Sequence, residues 1–193
     1  MTTGIILQAR LTSERFPNKT MCYLLGKPLI DHMLEKLMPL GYPLVVAIPD
    51  TRSNEPLRAY LEDKYPTVQV YRSFEEDLVR RYRDVNSFCN FDPIIRICAD
   101  SPFFDAEDIK IALEIYNKRQ RFTMLNHIQV FGKDELEYAF FYDYPADSRQ
   151  HVVRGILYTV DYPQDIERIE KDVETGRSPT LNRMLGINAK KEK

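Results

Sequence analysis

The feature that most constrains this chain is a rhythm in its hydrophobicity. Short apolar runs alternate with longer stretches whose apolar residues recur every three or four positions. A run of four to eight apolar residues between turn residues reads as a buried strand, and the longer period as an amphipathic helix. Strands linked through helices lie parallel, because such a connection must cross a face of the sheet. The spacing predicts strands over 4–7, 44–48, 68–71 and 94–98, then shorter ones over 122–125, 128–131 and 156–160. Helices are expected where Ile30, Met33, Leu34 and Leu37 recur, over 54–65, over 75–88 with an acidic start, and after Asp105 as N-cap. Weaker helical signals cover 133–142, 164–173 and 178–185. The fold class expected is α/β, three-layered, with a mostly parallel central sheet.

Size and composition set the rest of the frame. At 193 residues, 44% hydrophobic and 29% charged, the chain suits one domain around one core and excludes wholesale disorder. Lys and Arg number 27 against 29 Asp and Glu, so no basic excess supports nucleic-acid binding. Three widely spaced cysteines, Cys22, Cys89 and Cys98, suggest reduced thiols rather than a disulfide frame or a zinc site. No apolar run approaches the roughly 20 residues a membrane helix needs, and the first residues lack a signal-peptide pattern. A cytoplasmic protein with no membrane partner is expected.

In open α/β sheets, ligands bind beyond the carboxyl ends of the strands. The stretch after the first strand, QARLTSERFPNKT, carries Arg10, Arg15 and Lys19 within ten positions, with Ser13 between them. Cations crowded on one loop are suited to a polyphosphate, which arginine forks and a lysine point charge can share. A solvated basic loop paired with Glu14 is the equally open alternative. Asp100, in IRICADSP, and Asp161, in YTVDYPQD, each follow an uncharged run and should emerge at a strand end. Together they suit one Mg²⁺, which takes one or two carboxylates along with phosphate oxygens and waters. Singly, spacing favours a capping role for each, Asp100 at a turn before Pro102 and Asp161 at the helix that Pro163 opens.

These residues sit in an order that resembles the cytidylyltransferases. The string Ile6-Leu7-Gln8-Ala9-Arg10, then Ser13, Arg15, Pro17 and Lys19, then Leu25-Gly26-Lys27-Pro28-Leu29, is similar to the opening of that family. RSFEEDLVRRY at 72–82 resembles its Arg-Gly-Ser-Glu-x-Asp-Val-Leu-x-Arg-Tyr segment. IRICADSP resembles Arg-Ile-Thr-Ala-Asp-x-Pro, and YTVDYPQDI resembles Thr-Val-Asp-Thr-Pro-Glu-Asp-Leu. Within the family, the likeness is to the spore-coat polysaccharide biosynthesis protein F branch, related to the enzymes that make CMP-Kdo and CMP-sialic acids.

The resemblance implies a Rossmann-like GT-A nucleotidyltransferase fold. It also implies Mg²⁺-dependent transfer of CMP from CTP to a small anionic acceptor, with release of pyrophosphate, in polysaccharide or other glycan precursor synthesis. Carried over residue by residue, Arg10 and Lys19 would meet the β- and γ-phosphates, with Arg15 and Ser13 assisting. The backbone around Leu7 and Ala9 would face the base, and Ala99 would line the same pocket. Arg72, Ser73, Asp77 and Arg96 would complete the nucleotide site, Arg72 near the nucleoside. Asp100 and Asp161 would hold the metal. A homodimer is a further implication.

The departures from the pattern lie mostly in the acceptor half. Asn18 replaces the glycine before the lysine, a position where Asn tolerates left-handed backbone. Ser73-Phe74 replace Gly-Ser. Gln129 stands for a Glu and His127 for an Asp, and RQHV, with His151, matches Arg-Glu-His-Val but is followed by a much shortened arm. Gln129 and His151 are the acceptor-side candidates, within a short arm around 126–155, and a solvated tail is expected over 186–193. His32 reads as structural, Cys98 as a small core filler, and the aromatic cluster at 138–144 as core or dimer contact. A binding module on this fold that lacks catalysis is the alternative. A glycosyltransferase is disfavoured, because a diphosphate needs fewer cations.

Overall fold

A computed structural model describes residues 2–136 and 159–176, with the backbone alone at 151–152. The central sheet has seven strands in the order β5-β4-β1-β6-β8-β7-β9. They are β1 (Thr2–Gln8), β4 (Leu44–Pro49), β5 (Gln69–Ser73), β6 (Phe91–Cys98), β7 (Thr123–Leu125), β8 (Ile128–Phe131) and β9 (His151–Val152). A separate two-stranded ribbon joins β2 (Tyr23–Leu24) to β3 (Lys27–Pro28). Pairing is parallel from β5 through β4 and β1 to β6, and again between β7 and β9. β8 runs antiparallel to both β6 and β7. The α/β class and the mixed, mostly parallel sheet are as expected.

Side-chain alternation along the strands builds the three layers. Ile5 and Leu7, Val46 and Ile48, and Ile95 and Ile97 face α1 (Leu29–Leu37), α2 (Glu55–Lys64) and α4 (Ala106–Arg119). Ile6, Val45, Ala47 and Ile94 face the other way, onto Tyr82 and Val85 of α3 (Leu78–Cys89). A smaller cluster gathers Leu24, Leu29 and Phe103 under Ile169 of α5 (Pro163–Glu174). Where β1 and β6 lie closest, Gly4 is required: a Cβ there would stand 2.3 Å from the Phe91 ring.

Several boundaries differ from the periodicity. The helix expected over 75–88 starts at Leu78, because the Asp77 carboxylate accepts the Arg80 N–H and caps it there. Glu75 and Glu76 therefore precede the first turn rather than form it. The segment expected as a strand over 156–160 is not one where it is described. Thr159 and Val160 run outside the sheet, and the Val160 N–H donates to the Asp100 carbonyl at 3.0 Å. The helix expected over 133–142 opens with a 3-10 turn at Lys133–Glu135 and a helical Leu136, and its remainder lies outside the described residues. The aromatic cluster, the helix over 178–185 and the tail lie outside the described residues.

One side chain ties a helix to the loop carrying Asp100. Lys36 of α1 reaches across to donate to the carbonyls of Pro102 and Phe104, the latter at 3.4 Å, with its ammonium 5.1 Å from the centre of the Phe104 ring. Burial pushes the Lys36 pKa down to about 8, against the opposing pull of Asp105.

Two outcomes are expected. Gly4→Ala should lower unfolding free energy by about 1–3 kcal/mol in denaturant melts, through overpacking against Phe91. In the unfolded chain Lys36 titrates near its ordinary value of roughly 10.4, so between about pH 8 and that value the unfolded state binds more protons. This group's contribution to stability therefore rises with pH across that window. The stability of the wild type relative to Lys36→Met should accordingly increase from pH 7.5 to pH 10; a flat difference would contradict the burial argument.

Candidate functional site

The chain leaves β1 toward β4 and β5, then returns to place β6 on the opposite side of β1. A reversal of strand order like this opens a crevice beyond the carboxyl ends of the two strands. A cavity of about 370 Å³ lies there, between the stretch that follows β1 and the residues Cys98, Ala99 and Asp100 that end β6. The parallel register sets Gln8 beside Cys98, and the Ala99 N–H donates to the Gln8 carbonyl at 2.8 Å.

The stretch after β1 turns back on itself at Asn18, whose φ of 59° is left-handed, as expected at a position where the family has glycine. That turn delivers Lys19 into the interior. Its side chain is only 8% exposed, and its Nζ lies 2.7 Å from Asp100 Oδ2, 3.5 Å from Asp161 Oδ1 and 3.3 Å from the Val160 carbonyl. Arg15 closes the same group from the solvent side. It donates to Asp161 at 2.9 Å and lies over the Tyr162 ring, 5.6 Å from its centre. Arg10 and Ser13 line the cavity; Arg10 is exposed and Ser13 buried.

Arg15 and Lys19 pair with Asp161 and Asp100 across 146 and 81 residues of sequence. The first turn of α5 is closed by Asp165, which accepts the N–H groups of Asp161 and Tyr162 at 2.9 Å each. Asp161 is thus not the helix cap, and its carboxylate accepts from Arg15, from Lys19 and, at 3.3 Å, from the Thr159 hydroxyl. The Asp100 carboxylate accepts from Lys19 and from the Ser101 hydroxyl at 3.2 Å. Among the described residues no group of three or more His, Cys, Asp and Glu gathers as a metal cage. A pair of carboxylates converging on one cation is the arrangement present.

Other expected site residues are distributed differently. Leu7 is fully buried in β1, its backbone in register with Val46 and Ile97, so it does not reach the cavity. Ala9 lines it, although its N–H is spent on the Ala47 carbonyl at 3.1 Å. Arg72, Ser73 and Asp77 line a second cavity of about 570 Å³ beyond β4 and β5. There the Arg72 guanidinium is paired with Asp50 and, at 2.6 Å, with Glu55, while the Ser73 hydroxyl donates to Asp84. The Thr12 hydroxyl, in the stretch after β1, donates to the carboxylate of Glu75, which lines this second cavity.

Arg96 and Gln129 face each other across β6 and β8, and the guanidinium donates to the Gln129 amide oxygen at 2.6 Å and to that of Gln8 at 3.2 Å. Neither lines the first cavity. His151 enters β9 beside Met124 of β7; its side chain lies outside the described residues. His32 is buried, with Nε2 2.8 Å from the Leu24 carbonyl, and burial lowers its pKa, in keeping with a structural role. Cys98 is not a core filler: it faces the cavity next to Gln8, and burial raises the pKa of its thiol. Gln8 itself was missed as a site residue. The signal for it is the strand period, which puts Gln8 two positions beyond Ile6 on the same face, at the strand's carboxyl end.

Comparison with known proteins agrees with this architecture. The profile of the cytidylyltransferase family matches residues 4–140. The chain belongs to the cytidylyltransferase family. Two curated relatives are the 3-deoxy-manno-octulosonate cytidylyltransferases of Parabacteroides distasonis and Geobacter metallireducens. They are 29% identical over 105 residues and 28% identical over 110. The matches cover 54% and 56% of this chain, and it spans only 41% and 42% of the two relatives' lengths.

Among solved structures, a cytidylyltransferase from Leptospira borgpetersenii superposes with a TM-score of 0.73 at 20% identity, covering 91% of this chain and 87% of that one. CMP:2-keto-3-deoxy-manno-octonic acid synthetase complexed with CTP superposes with a TM-score of 0.71 at 15% identity, over 91% and 100%. Both are likenesses of fold, and they identify this one as an α/β nucleotidyltransferase fold.

Lys19→Met should lower unfolding free energy by about 1–2 kcal/mol at pH 7. That is less than the loss of a fully buried pair, because the Asp100 and Asp161 carboxylates are 32% and 28% exposed. Paired denaturant melts of wild type and Lys19→Met would read the deficit, and an unchanged midpoint would contradict the pairing.

Proposed function

We propose that this protein is a Mg²⁺-dependent cytidylyltransferase. It transfers CMP from CTP to the hydroxyl of a small anionic acceptor, a sugar acid or a relative of one, and releases pyrophosphate. The observation that carries the reading is the meeting of two opposed charge sets at the β1–β6 switch point: Arg10, Arg15, Lys19 and Asp100 line one cavity, and Asp161 pairs with Arg15 and Lys19 beside it. A polyphosphate calls for the first set and a divalent cation for the second. The family match, and relatives named for cytidylyl transfer to 3-deoxy-manno-octulosonate, support CTP as donor and a sugar acid as acceptor class.

In this reading Arg10 and Lys19 bind the β- and γ-phosphates, and Arg15 swings from Asp161 to assist. Asp100 and Asp161 fit a Mg²⁺ ion, since they already converge on a single cation, the Lys19 ammonium. When bound, the ion would offset charge developing on the α-phosphate. The acceptor oxygen attacks the α-phosphorus in line, the bond from that phosphorus to the β-bridging oxygen breaks, and pyrophosphate leaves. The acceptor's proton passes to solvent. Cations aimed at the leaving oxygens stabilise this displacement without covalent catalysis. Gln129 and His151 belong on the acceptor side of the reading, and Arg72, Ser73 and Asp77 on the nucleoside side. Glycan precursor synthesis in the cytoplasm, and kinship with the spore-coat polysaccharide branch, complete it.

Thermal melts with CTP, UTP, ATP and GTP, with and without Mg²⁺, test the reading. CTP with Mg²⁺ should give the largest stabilisation, and Asp100→Ala should remove the part that depends on Mg²⁺. Failure of every triphosphate to shift the melt would overturn it.

A further inference from the structure

The cavity is uneven in charge. Arg10, Glu14, Arg15, Lys19 and Asp100 supply its charged lining, while Gln8, Ala9, Cys98 and Ala99 give an uncharged lining at the strand ends. A ligand that fits has an anionic tail and a neutral head that forms hydrogen bonds. Gln8 is the residue in the uncharged part that can read such a head, and its amide is held in one orientation.

The reason is Arg96. A guanidinium only donates, so the amide group that meets it must present its oxygen. Arg96 meets two amides at once, Gln8 at 3.2 Å and Gln129 at 2.6 Å, from neighbouring strands on either side of β6. It is itself settled over Tyr82 of α3, with its charge 5.7 Å from the ring centre. Gln8 Oε1 also accepts from the Cys98 thiol, at 3.9 Å. With its oxygen turned to Arg96, Gln8 has only its two N–H groups to offer the cavity.

We propose that Gln8 is a specificity-determining residue for the nucleotide: its carboxamide, pinned by Arg96, donates to an oxygen or ring-nitrogen acceptor of the nucleoside and disfavours a donor at that place. An amide free to turn would accept either partner; a pinned one discriminates, because a donor facing a donor leaves both groups without a bond. Arg96 acts as the positioning residue, and Gln129 as the second amide that keeps the guanidinium in plane. The inference rests on nucleotide binding in this cavity, as proposed above.

The test compares CTP with inorganic tripolyphosphate, both with Mg²⁺, by calorimetric titration of wild type, Gln8→Met and Gln8→Glu. Tripolyphosphate carries the anionic tail and no nucleoside. Gln8→Met should weaken CTP about tenfold, the order of one lost hydrogen bond, and leave tripolyphosphate unchanged. Gln8→Glu keeps a partner for Arg96, which protects the fold, yet offers no donor. Its added charge should weaken both ligands, and the ratio of CTP to tripolyphosphate affinity should still fall about tenfold. Unchanged ratios in both variants, with wild type binding CTP, would overturn the role of Gln8 alone. No binding of either ligand by wild type would overturn the nucleotidyl-transfer reading and this inference with it.

Discussion

The parallel pairing of β1 with β6 is the constraint on which the rest of the structure depends. It sets Gln8 beside Cys98 in register, so that the stretches after both strands emerge at one place. Residues from Gln8 to Thr20 and from Cys98 to Asp100 then line a single cavity, although some eighty positions separate Lys19 from Asp100 in sequence. The close approach also dictates its own composition: Gly4 meets the Phe91 ring where no Cβ fits, and fully buried isoleucines and leucines fill both faces of the pair.

On that frame the charges organise themselves. A buried ammonium is costly unless carboxylates and carbonyls surround it. Lys19 finds Asp100, Asp161 and the Val160 carbonyl, and Arg15 covers Asp161 from outside. The same groups that satisfy one another are the groups a metal-bound triphosphate would engage. In the proposed reading, binding would exchange partners, phosphate oxygens replacing carboxylates around Lys19 and Arg15. The tether from Lys36 to the Pro102 and Phe104 carbonyls holds the Asp100 loop against α1.

The polar row on the opposite face of the sheet has a different logic. Gln8, Arg96 and Gln129 come from three adjacent strands and share one guanidinium. At Gln129 an amide accepts from Arg96 without a negative charge. The donor character of the cavity floor follows from that row, and no residue of the row would reveal it alone.

Much of the fold was legible in the sequence because hydrophobic period is a local property. The strands at 4–7, 44–48 and 94–98 and the helix after Asp105 lie close to where alternation and capping put them. Asn18 was readable as a left-handed residue for the same reason: backbone sterics belong to the residue type. Lys19, Asp100 and Asp161 were readable as candidates, since each closes or follows a distinctive run. What only the tertiary structure decided is which of these meet. It joined Lys19 to both carboxylates, sent Arg72, Ser73 and Asp77 to a second cavity, and turned Leu7 inward while Gln8 took the wall. Register and strand order are long-range properties, fixed by the packing of both sheet faces at once, and no local window of sequence contains them.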